Sequence, residues 1–201
     1  MKSIYIYGAS GHGLVVADIA KACGYDKIVF VDDGENEYLS FEDIKHNNGI
    51  PIALGIGDNS IRTKLFNKTI KNGFDIVSLI HPSAIVSSNI TIGKGVVIMP
   101  NVVINAKSKI GNGVILNTGC IIEHENSIED FVHISPNVAL AGNVSVGEFT
   151  HIGISSSVIQ GIKIGKNNII GGGSMVINNT EGNKKLVGVP ARQIADMGGK
   201  P

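Results

Sequence analysis

Up to Leu79, apolar positions fall into short strand-like runs that alternate with helix-spaced groups. Ile4 to Tyr7 is followed by helical spacing from about Gly13 to Cys23, by the run Ile28 to Val31, and by a weaker helical stretch near Phe41 to Lys45. Ile52 to Leu54, a helical stretch near Ser60 to Asn72, and Ile76 to Leu79 complete a βαβαβαβ series. That order predicts a small parallel sheet, Rossmann-like but about half of a full dinucleotide-binding fold, so a mononucleotide is the easier ligand to fit.

From Ile80 the helical spacing disappears and a six-residue period begins. Ile80, Val86, Ile92, Ile98, Ile104, Ile110, Leu116, Ile122, Ile128, Ile134, Leu140, Val146, Ile152, Val158, Ile164, Ile170 and Val176 are aliphatic without exception. A second series four residues on includes Val96, Val102, Val114, Cys120, Val132, Val138, Val144, Thr150 and Ser174, and it is mostly small or β-branched. Each hexapeptide supplies one short strand and one corner, so three make a triangular coil of about 18 residues with both series pointing inward. Gly93, Gly111, Gly147, Gly153, Gly165 and Gly171 directly follow a repeat aliphatic, as expected where a Cβ would be crowded. A β-sandwich would instead alternate with period two between regularly spaced turn signals, which this stretch lacks. The expected architecture is therefore mixed, with an α/β domain over residues 1–79 and a left-handed parallel β-helix over residues 80–201.

Composition narrows the function. Lysine plus arginine equals aspartate plus glutamate at 17 each, which removes the charge needed to grip a nucleic acid. The 26 glycines and the absence of tryptophan suit tight corners and short strands. The start lacks an apolar leader and no stretch reaches the roughly 18 apolar residues of a membrane span, so no membrane crossing is expected. Cys23 and Cys120 form no CxxC pair and no metal-ligand set; a reducing, cytoplasmic setting and no metal are expected. Ala195 to Pro201 carries no readable pattern.

The hexapeptide repeat over residues 80–192 resembles the left-handed β-helix acyltransferases. The opening IYIYGASGHG, the VDD after the second strand, GIGDN, ILNTGCIIEHE and the closing VGVPAR, taken in that order, resemble the sialic acid O-acetyltransferase family and most closely its UDP-N-acetylbacillosamine N-acetyltransferases. The resemblance implies a homotrimer that moves acetyl from acetyl-CoA to the amino group of a UDP-4-amino-4,6-dideoxy sugar; the alternative is O-acetylation of sialic acid or another sugar hydroxyl.

Acyl transfer needs a base for the acceptor proton and a donor for the oxyanion. His124 lies between Glu123 and Glu125, where a carboxylate can fix its tautomer and raise its basicity; the resemblance makes His124 the base and Glu125 its partner. Cys120 is a possible acyl carrier, but a small thiol on the inward series should be buried with its pKa raised, which favours direct transfer. His133 and His151, one coil apart, should stack about 4.8 Å apart. By resemblance His133, Ile154 and Gly172 contact acetyl-CoA, whereas His151 has no such support. Asn117 is a candidate donor to substrate or oxyanion and is equally suited to stabilising its own turn.

In the N-terminal half, Gly8 to Gly13 joins the first strand to the first helix, where free N–H groups and the helix dipole favour a diphosphate. Asp32 and Asp33, ending the second strand, are placed to hook a ribose or base edge. By resemblance Ser10, Gly11 and His12 hold the sugar nucleotide, Asp32 and Asp33 its nucleoside, and Gly57 lines the same pocket. A nicotinamide-dependent oxidoreductase would need the missing second half of the fold, and a pure scaffold would have no use for the pairing of His124 with Glu125.

Overall fold

The computed structural model describes residues 1–198. In the N-terminal part, β1 (Ser3–Tyr7), α1 (Gly11–Ala22), β2 (Lys27–Val31), α2 (Phe41–Ile44), β3 (Ile52–Leu54) and α3 (Asn59–Lys71) build a three-stranded parallel sheet in the order β2-β1-β3. Strand alternation gives the sheet two apolar faces. Ile4 and Ile6 meet Val16, Ile19 and Ala20 of α1, while Tyr5 and Tyr7 meet Phe41 and Phe74 on the other side. The fourth strand expected from Ile76 to Leu79 is reduced to a single bridge between Ile52 and Ile76. Its last residue, Leu79, pairs instead with Val97 and opens the second architecture. The segment therefore serves as the joint between two sheets, and a short apolar run does not reveal which partner wins.

From Leu79 the chain winds as a triangular parallel β-helix with three faces of stacked two-residue strands. Partners stand one full coil apart, as in Ile115 with His133 and His133 with His151. The repeat aliphatics from Ile98 to Val176 are all buried, and so are Val96, Val114, Cys120 and Val144 of the second series. Ile80, at the open first coil, is 38% exposed. The glycines after the repeat aliphatics are crowded as expected: a Cβ on Gly147 would lie 2.5 Å from the Lys166 amide nitrogen, and one on Gly153 2.6 Å from that of Gly172. Backbone strain sits elsewhere, two residues further on. Every sixth residue from Gly95 to Gly173 has positive φ, and among these are Phe131 and Phe149, side chains that rarely adopt it. At the far end, Lys184–Val187 joins the first face and Arg192–Asp196 folds back antiparallel to it, which covers the sheet edge. Part of the unreadable tail thus forms this strand; residues 199–201 lie outside the described residues.

The two parts are locked together by Arg62 of α3, which is 0% exposed. Its five N–H groups are all used: Nε donates to Gly113 O, Nη1 to Ile56 O and Gly57 O, and Nη2 to Asn59 Oδ1 and Phe131 O. Asn59 Nδ2 donates to Phe149 O. The carbonyls of Gly113 and of the two strained phenylalanines are thus the handles by which α3 holds the β-helix.

Candidate active site

The loop between β1 and α1 is shaped by close glycine packing. A Cβ on Gly13 would collide with Gly8 O, whereas Gly11 faces open space. Among the described residues no acceptor receives the N–H groups of Gly11, His12 or Gly13, so the start of the helix presents free donors. Asp32 accepts from the Ala9 N–H on one oxygen and from the Gly34 N–H and Asn36 on the other. Asp33 accepts from Tyr7 Oη, Lys68 Nζ and the Phe41 N–H. Both carboxylates are engaged within the chain: Asp32 fixes the loop and Asp33 fixes α2 and α3. Three bonds to each carboxylate leave acceptor capacity over, and Asp33 stays exposed. The Ala9 bond outweighs burial for Asp32, and the hydrogen bonds to Asp33 together outweigh its desolvation, so both are held below the usual carboxylate range.

The first face of the β-helix brings three histidines together against this loop. His133 and His151 stack with ring centroids 4.7 Å apart, and His12 lies 6.2 Å from His133. The stacking occurs on the strands rather than at a corner. His133 Nδ1 meets Gly57 O, which can only accept, so Nδ1 carries the proton; Nε2 then accepts from Asn117 Nδ2, whose Oδ1 is taken by the Thr118 N–H. Two candidate residues, Asn117 and His133, are therefore one hydrogen-bonded unit. His151, set aside on the sequence, joins them and bonds Ser135 Oγ. Burial lowers His133 to about 3, with the neighbouring His151 and Arg62 adding, and lowers His12 to about 4, with Arg62 adding. His12 Nε2 is buried and has no partner among the described residues. Between α3 and this face lies a cavity of about 400 Å³ lined by Gly57, Asn59, Lys64, Phe149, His151 and Asn167 among others.

A second group occupies the corner between the second and third faces, the vertex opposite the first face. His124 Nδ1 is 3.1 Å from Glu125 Oε2, so Nδ1–H donates to the carboxylate and the Nε2 lone pair is left free. Both side chains are more than half exposed. Glu125 holds the positive-φ position of its corner. One coil on, Gly142 backs onto the imidazole: a Cβ there would lie 2.6 Å from both Cε1 and Nε2. The Gly142 N–H has no acceptor among the described residues, so an imidazole with a free lone pair neighbours a residue with a free N–H donor. Sequence reasoning missed Gly142, although its place one full coil after His124 is the available signal.

Cys120 is fully buried and burial pushes its thiol up to about 12, which leaves no thiolate for acyl transfer. Ile154, 55% exposed, and Gly172 are neighbours at the corner between the first and second faces, where a Cβ on Gly172 would meet Ile154 Cγ2 at 3.1 Å. No cluster of three metal-ligating side chains occurs among the described residues.

Comparison with known proteins gives consistent relatives for both halves. Residues 3–69 match the PglD N-terminal domain family, and residues 89–124 match the bacterial transferase hexapeptide (six repeats). The UDP-N-acetylbacillosamine N-acetyltransferase of Bacillus subtilis (strain 168) is 38% identical over 114 residues, 49% of this chain; the match spans only 52% of that relative's length. A histidine-to-alanine variant of GDP-perosamine N-acetyl transferase from Caulobacter crescentus, solved in complex with CoA and GDP-perosamine, is 34% identical and superposes over 98% of each chain with a TM-score of 0.93. The acetyltransferase domain of PglB from Neisseria gonorrhoeae FA1090 is 33% identical over 96% of this chain and 100% of its own, with a TM-score of 0.90.

Proposed function

Because the chain belongs to the left-handed β-helix sugar N-acetyltransferases, we propose that it moves acetyl from acetyl-CoA to the 4-amino group of a UDP-4-amino-4,6-dideoxy-N-acetyl sugar, with His124 as general base. The observation that carries this reading is the exposed His124–Glu125 pair with its free Nε2 beside the unpaired Gly142 N–H. The amine attacks the thioester carbonyl as Nε2 takes its proton, Gly142 N–H receives the oxyanion, and collapse breaks the C–S bond as the imidazolium returns the proton to the departing thiolate. Glu125 holds the tautomer and stabilises the imidazolium. The glycine loop, through Ser10, Gly11 and His12, takes the diphosphate; Asp32 and Asp33 meet the nucleoside, Asp32 also fixing that loop and Asp33 fixing α2 and α3 beside it, and Gly57 lines the pocket beyond. His133 with Asn117, and the Ile154–Gly172 corner, lie along the path of acetyl-CoA.

Topology supports a shared site and a homotrimer. Within one chain His124 stands at the vertex opposite the first face, where the loop and His133 lie, so the base must reach the sugar of a neighbouring copy. The three faces also differ in what they turn outward. The first, with Leu79, Val97 and Ile115, lies under the N-terminal part, and the third shows Thr91, Lys109, Ser127, Ser145 and Lys163. The second shows Ile85, Val103, Ile121, Ala139, Ser157 and Met175, with Ile85 68% exposed, and it is the face that needs a partner. No described helix is long and apolar enough to cross a membrane, and the two free cysteines fit a reducing cytoplasmic setting.

The test is a thiol-release assay with acetyl-CoA, offering either a UDP-4-amino-4,6-dideoxy-N-acetylhexosamine or free sialic acid. Release with the amino sugar alone, lost by about 10² to 10⁴-fold in His124→Ala, is the expected result. Release with sialic acid alone would move the chain to the O-acetylating reading, and full turnover of His124→Ala would remove histidine as the base.

A further inference from the structure

The vertex that carries His124 has an unusual interior. Elsewhere in the middle coils the inward position four residues after a repeat aliphatic is occupied by Val114, Cys120, Val132, Val138 and Val144, but here it is Asn126, 1% exposed. Every polar atom of its amide is used. Nδ2 donates to Glu123 O at 2.6 Å and to Ala141 O at 3.1 Å, and Oδ1 accepts from the Val144 N–H at 2.9 Å. Glu123 O also receives Ser108 Oγ at 2.9 Å, whereas Ala141 O has no other donor among the described residues.

These two carbonyls are not arbitrary. Glu123 C=O shares its peptide plane with the N–H of His124, and Ala141 C=O shares its plane with the N–H of Gly142. In a planar trans peptide the two groups point in opposite directions. A carbonyl drawn into the core therefore turns the following N–H outward, toward the space beside the imidazole. We propose that Asn126 is a positioning residue: by pinning Ala141 O and Glu123 O from within the core it fixes the outward direction of the Gly142 N–H and the seat of His124. The proposal rests on the reading of His124 as base and Gly142 N–H as oxyanion donor, and it adds the buried group that orients both.

A purely structural role is the competing explanation, since Asn168, 0% exposed, bridges Thr180 Oγ1, Glu181 O and the Lys184 N–H in the same manner at another vertex. The experiment uses that likeness. In the full-length enzyme, Asn126→Val and Asn168→Val are compared by melting temperature and by kcat and KM for acetyl-CoA and the amino sugar. Asn126→Val is expected to lose about 10²-fold in kcat, the usual worth of one oxyanion donor, with both KM values within about twofold. Asn168→Val should lose comparable stability with kcat unchanged. Asn126→Ser should recover most of the turnover, because a serine at this kind of position bonds a carbonyl and an N–H of the next coil, as Ser156 does with Gly171 O and the Ser174 N–H. If Asn126→Val does not fold, Asn126→Ala takes its place against Asn126→Ser. Equal losses of kcat in the Asn126 and Asn168 variants, or serine no better than valine, would overturn the proposal. A His124→Ala enzyme at full turnover would overturn the base reading instead.

Discussion

Adding one methyl group at Gly142 separates catalysis from stability. Gly142 has a φ that ordinary residues adopt, so Gly142→Ala strains no backbone. The new Cβ would meet Cε1 and Nε2 of His124 at 2.6 Å and Nδ1 at 3.2 Å. The imidazole must retreat by about 0.8 Å to restore ordinary contact. With the His124 side chain 58% exposed, the ring can swing into solvent at a cost within about 0.5 kcal/mol of folding stability. On the proposed role of His124 as the base for an amine, a displacement approaching about 1 Å costs about 10²-fold. Gly142→Ala should therefore melt within about 2 °C of the parent enzyme, while thiol release at saturating acetyl-CoA drops by about two orders of magnitude. Parental turnover would refute the contact, and a loss of turnover matched by a loss of melting temperature would show that the methyl had damaged the coil rather than moved the base.

Two predictions concern the interface between the halves. Arg62→Met leaves Ile56 O, Gly113 O and Phe131 O without their donor, a cost of about 3–9 kcal/mol at about 1–3 per orphaned group. All four tyrosines, Tyr5, Tyr7, Tyr25 and Tyr38, lie in the N-terminal part. Near-ultraviolet dichroism in a urea titration should then show that part unfolding before the far-ultraviolet signal of the β-helix changes; coincident transitions at the parental midpoint would count against the clamp. The second prediction is a loss of stability in mild acid. His12, at about 4, and His133, at about 3, titrate in the unfolded chain near 6.5. Above 6.5 both are neutral in either state. As pH falls from 6.5 toward 4 the unfolded state takes up protons that the folded state refuses, so stability is lost by up to about 1.4 kcal/mol per pH unit for each histidine. A urea midpoint unchanged between pH 7 and pH 5 would show that the rings are not held neutral.

The β-helix was legible because its order is one-dimensional. Once Ile80, Val86 and Ile92 set the period, every later coil repeated the prediction, and burial of Ile98 through Val176 bears it out. The positive-φ series was not legible from glycine content: Asn101, Lys107, Glu125, Phe131 and Ser155 take that conformation as well as Gly113 or Gly119. Corner geometry is imposed by the winding and overrides residue preference. Arg62 illustrates a different limit. On a helix that also carries Lys64, Lys68 and Lys71 it reads as one more solvated cation. Its burial depends on five acceptors, two of which, Gly113 O and Phe131 O, belong to the other domain, and backbone carbonyls carry no sequence signature.

The site divides along the same line. His124 could be singled out because the family resemblance of its IEHE segment coincides with an adjacent carboxylate, Glu125, so the pairing is local. Asp32 and Asp33 were equally visible, but the bonds that hold them, to Ala9, Phe41 and Lys68 among others, join residues 8 to 35 positions apart and follow no spacing rule. Gly142 and Asn126 lie between these cases. Neither is a catalytic residue type, yet in a coil of fixed length the neighbour of any corner is known once the register is known. Stepping one coil forward from His124 reaches Gly142, and stepping one coil back from Val144 reaches Asn126. The repeat that makes the fold legible therefore also makes a backbone N–H and a buried amide readable as neighbours of His124, because in this architecture register fixes which peptide planes stand beside its imidazole.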